Sequence, residues 1–115
     1  MKVLFIVLND TNFLEDILNA FLKLDVKGAT ILESEGMLKT VLKNEGLSYL
    51  FRGMFSPARP EDAHDSKTIF TVIKSDEKVK KVVEAVQNIL EQSKKETTGF
   101  MFTLPVSDVY PMKKA

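Results

Sequence analysis

Cysteine is absent from the 115-residue chain, and histidine occurs once, as His64. Without cysteine there is no disulfide, no thiol nucleophile and no zinc-finger thiolate set. A Ser-His-Asp triad could draw only on His64, and no G-x-S-x-G, Walker A or G-x-G-x-x-G motif occurs. Many carboxylates are present, yet spacing alone marks out no catalytic pair, so the expectation is a protein that is not an enzyme. An excess of one charge is also missing: 16 Lys+Arg balance 16 Asp+Glu. Non-specific nucleic-acid binding needs a basic surface and is excluded on that ground. Long apolar runs are missing too. The longest at the start, Val3-Leu4-Phe5-Ile6-Val7-Leu8, falls far short of the about 20 residues of a membrane span. It also lacks the length and the small-residue cleavage site of a signal peptide. Membrane insertion is therefore not expected, and a cytoplasmic location is.

What is present is ordinary for a soluble globular chain: 44% hydrophobic and 28% charged residues. That content excludes long disorder. The length fits a single domain over residues 1–115. A chain of this size buries roughly two thirds of its unfolded surface and needs no staples.

Val3–Leu8 reads as a central strand buried on both faces. Asn9-Asp10-Thr11-Asn12 follows, and Asn12 with Glu15 has capping-box spacing. Phe13, Leu14, Ile17, Leu18, Phe21 and Leu22 then predict an amphipathic helix to about Leu24. Gly28 closes that segment, and Ala29–Ser34 reads as a second strand ended by Gly36. Lys67–Lys74 predicts a third strand. Ser75 is a cap with Asp76 and Glu77 in the first turn, where the helix dipole favours acids. Val79, Val82, Val83, Val86, Ile89 and Leu90 make the stripe of a second helix ending near Gln92. Gly99–Pro105 is a fourth strand, with proline at its end or on a sheet edge. Val106–Ala115 is a short tail, with room for an extra edge strand.

The order predicts an α+β chain: a ferredoxin-like split βαββαβ pattern, built as a two-layer sandwich with an antiparallel sheet. Helices on one face leave the other to solvent or to another chain. Val3–Leu8 and Phe100–Leu104 are too apolar for solvent on either side, so the open face is expected to be buried in an oligomer.

The anomaly is Met37–Ser66. Connections this long, about 30 residues, are usually functional or disordered. Met37, Leu38, Val41 and Leu42 predict a short helix, stopped by Gly46. Tyr49, Leu50, Phe51, Met54 and Phe55 cluster around Arg52-Gly53. They read either as a docking segment with aromatic and arginine anchors or as packing against the body. Glu61-Asp62-Ala63-His64-Asp65 could offer imidazole and carboxylates to a metal. Ligands this close rarely close a shell alone, and a solvated acidic loop is the plainer reading. Lys78, Lys80, Lys81, Lys94 and Lys95 read as solvated helix faces.

Element order and several residues together resemble the nitrogen regulatory protein P-II family across nearly the whole chain. Gly28-Ala-Thr-Ile-Leu-Glu-Ser-Glu-Gly36 resembles the family's G-x-T-x-x-E-x-x-G second strand, which ends at its long T-loop. Phe51-Arg52-Gly53 resembles the Y-R-G of that loop, and Lys67–Lys74 with Ser75-Asp76 the third strand and its Pro-Asp helix start. Thr98–Val109 resembles the strand G-K-I-F-V-x-x-V-x-x-V. The resemblance implies a homotrimer with three sheets around an axis and nucleotide (ATP, ADP or AMP) in clefts between subunits. It also implies a loop over 37–66 that docks on a target, a transporter or an enzyme. Thr30, Gly36, Ile73 and Gly99 fall at the family's cleft positions. Lys39 and Thr40 lie near its loop-base Arg-Gln, and Lys113 near one basic residue of its tail. Lys39, Arg52 and Arg59 are the loop cations expected to meet an anionic ligand or partner, with Tyr49, Phe51, Arg52 and Phe55 facing the partner.

The chain departs from the family at the phosphate loop. Thr97-Thr98-Gly99-Phe100 stands where the family has G-D-G-K, and Pro111 stands at its first tail arginine. Ser56 aligns near the tyrosine that some members uridylylate. Backbone amides and basic side chains hold a polyphosphate. Their loss leaves a smaller anion, a nucleotide with fewer phosphates, or no nucleotide as the readings. A metal-binding trimer of the CutA-like kind shares the fold and would employ His64. A small ferredoxin-like hydrolase or isomerase lacks a catalytic set here.

Overall fold

The computed structural model describes residues 1–47, 49 and 65–114. Its elements are β1 (Lys2–Leu8), α1 (Leu14–Lys23), β2 (Thr30–Glu35), α2 (Met37–Lys43), β3 (Asp65–Ile73), α3 (Asp76–Leu90) and β4 (Gly99–Pro105). The strands form one antiparallel sheet in the order β2-β3-β1-β4. This is the expected α+β ferredoxin-like sandwich.

The core lies between the sheet and its helices. Leu4, Ile6 and Leu8 of β1 and Ile69 and Ile73 of β3 point to one side, as a period of two requires. They meet Ile17 and Phe21 of α1 and Val79, Val82 and Val86 of α3. The α3 stripe and Ile17 and Phe21 of α1 face the sheet as expected, whereas Leu22, read as part of the α1 stripe, is 62% exposed. Ser75 caps α3 as expected: its Oγ accepts from the Lys78 amide at 3.3 Å, with Asp76 and Glu77 in the first turn.

The other face of the sheet is apolar, and no helix among the described residues covers it. Val3 lies opposite Val72 and Leu104, and Phe5 opposite Phe70 and Phe102. The Phe5 and Phe102 rings stack with centroids 4.9 Å apart, and Phe70 is tilted against Phe5 at 5.7 Å. Phe100 is 60% exposed. Thus β1 is buried on its helix side only, and its second face is half-buried by its neighbours.

Several local expectations are corrected. The Asn12–Glu15 capping box does not form. Thr11–Phe13 makes a 3₁₀ turn, and α1 starts at Leu14 without a side-chain cap. Asp10 is buried instead: its Oδ2 accepts from Ser93 Oγ at 2.6 Å. Gly46 does not stop the helix that begins at Met37. The break is at Asn44, whose backbone is extended, and residues 45–47 are helical again. The Asn44 carboxamide accepts from the Leu47 amide at 3.0 Å, an alternative start that explains the shift. β3 begins at Asp65, and β2 runs one residue past Ser34 to pair Glu35 with Asp65. No strand forms in the described tail, which makes one ladder-like bond, Val106 N–H to the Met1 carbonyl at 3.1 Å.

Candidate functional site

The most structured polar region sits where the long connection leaves β2 and enters β3. Glu35 pairs with Asp65 in register, and Glu33 with Lys67. Gly36 then opens α2 with an extended backbone, so that Lys39, Thr40 and Lys43 come back over the strand ends. Lys39 Nζ donates to Asp65, Lys43 Nζ to Glu35, and Lys67 Nζ to Glu33. Thr40 Oγ1 donates to Glu35 Oε2 at 2.6 Å. Beside them the hydroxyls of Ser34 and Ser66 lie 2.7 Å apart, and Thr68 Oγ1 donates to Ser34 Oγ at 2.9 Å. The Lys43 hydrogen bond, then Thr40, holds the Glu35 carboxyl below its ordinary value, and Lys43 is raised in return. The Lys39 hydrogen bond does the same to Asp65. Every charge named here has an opposite neighbour, so the cluster is a neutral lattice of exposed pairs.

At the opposite edge of the sheet, β4 and the second half of α3 bound a groove of about 860 Å³. Leu4, Ile6, Val83, Leu90 and Met101 supply apolar lining, with Glu84, Gln87, Asn88, Glu91 and Thr98 as polar groups. Its described lining holds two carboxylates and no lysine or arginine, which disfavours a phosphate inside it. Gly99 opens β4 with φ +134°, packed so that a Cβ would lie 2.0 Å from the Val7 carbonyl oxygen.

The residues expected to form one cleft are dispersed over the chain. Gly36, Lys39 and Thr40 sit together at the β2 edge. Gly99 shares their end of the sheet, in the row Gly99–Leu8–Lys67–Glu33. It is nevertheless across three strand spacings, roughly 14 Å. Thr30 is exposed in the middle row beside Phe70. The Ile73 side chain is in the core, at the far end where it pairs with Lys2. Lys113 lies on the tail that leaves from that same far end. Tyr49 is 80% exposed. Phe51, Arg52, Phe55, Arg59 and His64 lie outside the described residues. Among the described residues no group of His, Cys, Asp and Glu is placed to hold a metal, and no helix is long and apolar enough to cross a membrane.

Sequence reasoning missed Glu33, Glu35, Lys43 and Lys67 as site residues, and read Asp65 only as a candidate metal ligand rather than as the partner of Lys39. One signal was there: Glu35, Lys39 and Lys43 repeat at i, i+4 spacing. The rest needs the β2–β3 register, which spacing alone does not give.

A family model described as nitrogen regulatory protein P-II matches residues 1–115. Among solved structures the fold is similar to that of the crystal structure of Arabidopsis thaliana PII bound to citrate. The TM-score is 0.62 over 96% of this chain and 81% of that one, at 18% identity. At that identity the likeness shows the fold alone. No curated protein sequence matches the chain.

Proposed function

The chain belongs to the nitrogen regulatory protein P-II family, a family of regulatory signalling proteins, and from that premise we propose a homotrimeric sensor. Its clefts between copies take a small anionic ligand, and its connection between α2 and β3 carries the signal to a target protein. The observation that carries this reading is the bare aromatic face of Phe5, Phe70, Phe100 and Phe102. Exposed apolar patches of this kind mark interfaces. Packing three such faces around an axis would bring the β2 edge of one copy toward the β4 edge of the next. Gly36, Lys39 and Thr40 would then share a cleft with a neighbour's Gly99, which no single copy achieves.

Within that cleft Lys39 is the cation that an anion would recruit, and it is held by Asp65. A ligand phosphate or carboxylate would exchange with Asp65 and free the root of β3, a two-state change at the base of the connection. Tyr49, Phe51, Arg52 and Phe55 are the anchors proposed for the target, a transporter or an enzyme. The missing basic residues favour AMP, ADP or a small polyanion over ATP. Because the Arabidopsis protein holds citrate, citrate joins the nucleotides as a probe. Native mass spectrometry is expected to give a trimer. Isothermal titration with ATP, ADP, AMP and citrate is expected to show binding of at least one, weakened roughly ten-fold, the scale of one charge-assisted contact, by Lys39→Ala. A monomer would overturn the assembly, and silence with all four would overturn the ligand.

A further inference from the structure

Neutrality of the whole chain hides an uneven spread of charge. At the end of the sheet away from the connection, β1 begins, β3 and β4 finish, α1 closes and α3 opens. Lys2 and Lys74 flank the strand ends there, Lys23 and Lys27 the end of α1, and Lys78, Lys80 and Lys81 the start of α3. Against these seven lysines the two helix ends set three carboxylates, Asp25, Asp76 and Glu77, a local charge of +4. All three are already engaged: Lys2 meets Asp76 at 3.4 Å, Lys27 meets Asp25 at 3.3 Å and Lys81 meets Glu77 at 4.0 Å. Lys23, Lys74 and Lys80 are exposed and have no carboxylate partner among the described residues. Local stability does not account for this crowding. A helix N-terminus favours anions, yet three lysines stand in the opening turns of α3.

The platform under these lysines is fixed. Asp25 turns at φ 61°, and the Asp25 and Val26 amides donate to the Leu22 and Phe21 carbonyls at 3.1 and 2.7 Å, closing α1. Lys78 Nζ donates to the Asp25 carbonyl at 3.1 Å and ties that turn to α3. We infer that this end is a docking surface for an anionic membrane leaflet, touched without insertion. Charge complementarity gives the sign of the partner, and the side chains give its kind. Every cation here is a lysine, a point charge on a flexible stem that suits fluid headgroups; arginine, whose planar fork reads phosphate bidentately, is absent from this end. The facing ends of α1 and α3 expose no aromatic ring on which a base would stack. They expose Leu22 instead, 62% accessible beside Lys23, an apolar group of the kind that enters the headgroup boundary. Each lysine near an anionic leaflet strengthens binding roughly five-fold, and copies in an assembly multiply that attraction. A copy seated this way holds the loop base, Gly36 and Asp65, off the leaflet by the length of the sheet, roughly 20 Å.

Co-sedimentation of the full chain with lipid vesicles tests this. The protein is expected to sediment with phosphatidylserine-rich vesicles, to ignore pure phosphatidylcholine vesicles, and to be released at about 1 M salt, where charges are screened beyond about 3 Å. Lys74→Ala/Lys80→Ala removes two of the lysines without a carboxylate partner and is expected to weaken binding at least about 25-fold, roughly five-fold for each. Lys94→Ala/Lys95→Ala makes the same change of charge beyond the other end of α3 and is expected to leave binding unchanged. Equal loss from both pairs would show that net charge alone acts and would overturn the proposal. Binding to phosphatidylcholine, or no binding to either vesicle, would overturn it as well. Displacement from the vesicles by duplex DNA or polyglutamate of equal charge would assign the surface to another polyanion and remove the leaflet. Native mass reads the assembly separately: a trimer that ignores vesicles removes this surface and leaves the sensor reading intact.

Discussion

Gly99→Ala tests the geometry of the β4 edge. At φ +134° an L side chain is strained, and the added methyl meets the Val7 carbonyl oxygen at 2.0 Å and Leu8 Cα at 3.3 Å. Both obstacles are backbone of the central strand, so relief requires the start of β4 to move. The backbone strain costs roughly 1–3 kcal/mol. Moving β4 also loosens its pairing with Leu8 and the bond from the Asn9 amide to the Thr98 carbonyl, 2.9 Å. A lost bond costs about 1 kcal/mol, so the strain with one of the two interactions lost comes to about 2–4 kcal/mol. For a chain of this length that lowers the Tm by at least about 8 °C, at roughly 4 °C per kcal/mol. The control is Gly28→Ala, where a Cβ meets nothing within 4 Å. It is expected to be neutral or to stabilise by about 0.4–1 kcal/mol through the unfolded chain. Thermal melts at matched protein concentration compare the two, because assembly makes Tm concentration-dependent. A Gly99→Ala protein melting within about 2 °C of its parent, on that same scale, would refute the reasoning.

Ser93→Ala removes the donor to Asp10, whose Oδ1 already lacks a partner. A buried carboxylate left bare on both oxygens costs roughly 1–3 kcal/mol, read as a lower urea midpoint, and an unchanged midpoint would contradict it. Glu35 and Asp65, both lowered from 4.5 and 3.8, contribute stability above those values and lose it as pH falls through their lowered folded values. Lys43, raised from 10.5, contributes below that value and loses it as pH rises past it. Backbone NMR shifts of α2 should therefore hold near neutral pH and move as acid protonates the two carboxylates; shifts that stay constant until the chain itself unfolds in acid would exclude the tie. Phe102→Glu puts a charge into the aromatic face and is expected to yield a folded monomer by native mass with unchanged far-ultraviolet circular dichroism. An intact assembly would show that this face is not the interface.

The fold was legible because its signals are local and redundant. Apolar runs of strand length and the α3 stripe each specify one element, and β-α-β order limits the topologies. The caps were less so. Asn12 and Glu15 have the right spacing, yet Asp10 enters the interior to meet Ser93, a partner 83 residues away. The stop at Gly46 failed for a similar reason, since the Asn44 side chain restarts the helix before glycine is reached. For the loop base, the lysines were readable and their partners were not. Lys39 and Thr40 lie on α2 at the start of the connection, and what they touch depends on Glu35 lying beside Asp65, a consequence of register. The cleft we propose was illegible from one copy, because the residues assigned to it lie at opposite edges of the sheet.

That dispersal and the charge lattice bear on the same point. The whole chain is neutral, and the loop base repeats the balance locally, Glu33, Glu35 and Asp65 against Lys67, Lys43 and Lys39. A neutral lattice attracts no anion from a distance. It admits one only by exchange, when a ligand oxygen takes a lysine from its carboxylate. Exposed pairs of this kind are individually weak, so exchange is accessible to a modest ligand. The displaced carboxylate is what makes the exchange informative. Asp65 is the first residue of β3, paired with Glu35. Without Lys39, Asp65 loses its own cation and faces Glu35 with only Lys43 to offset the pair, and like charges directly opposite on paired strands destabilise the pairing. Ligand entry in the proposed assembly thus loosens the residue pair from which the connection springs, and the signal arises at the site of binding itself.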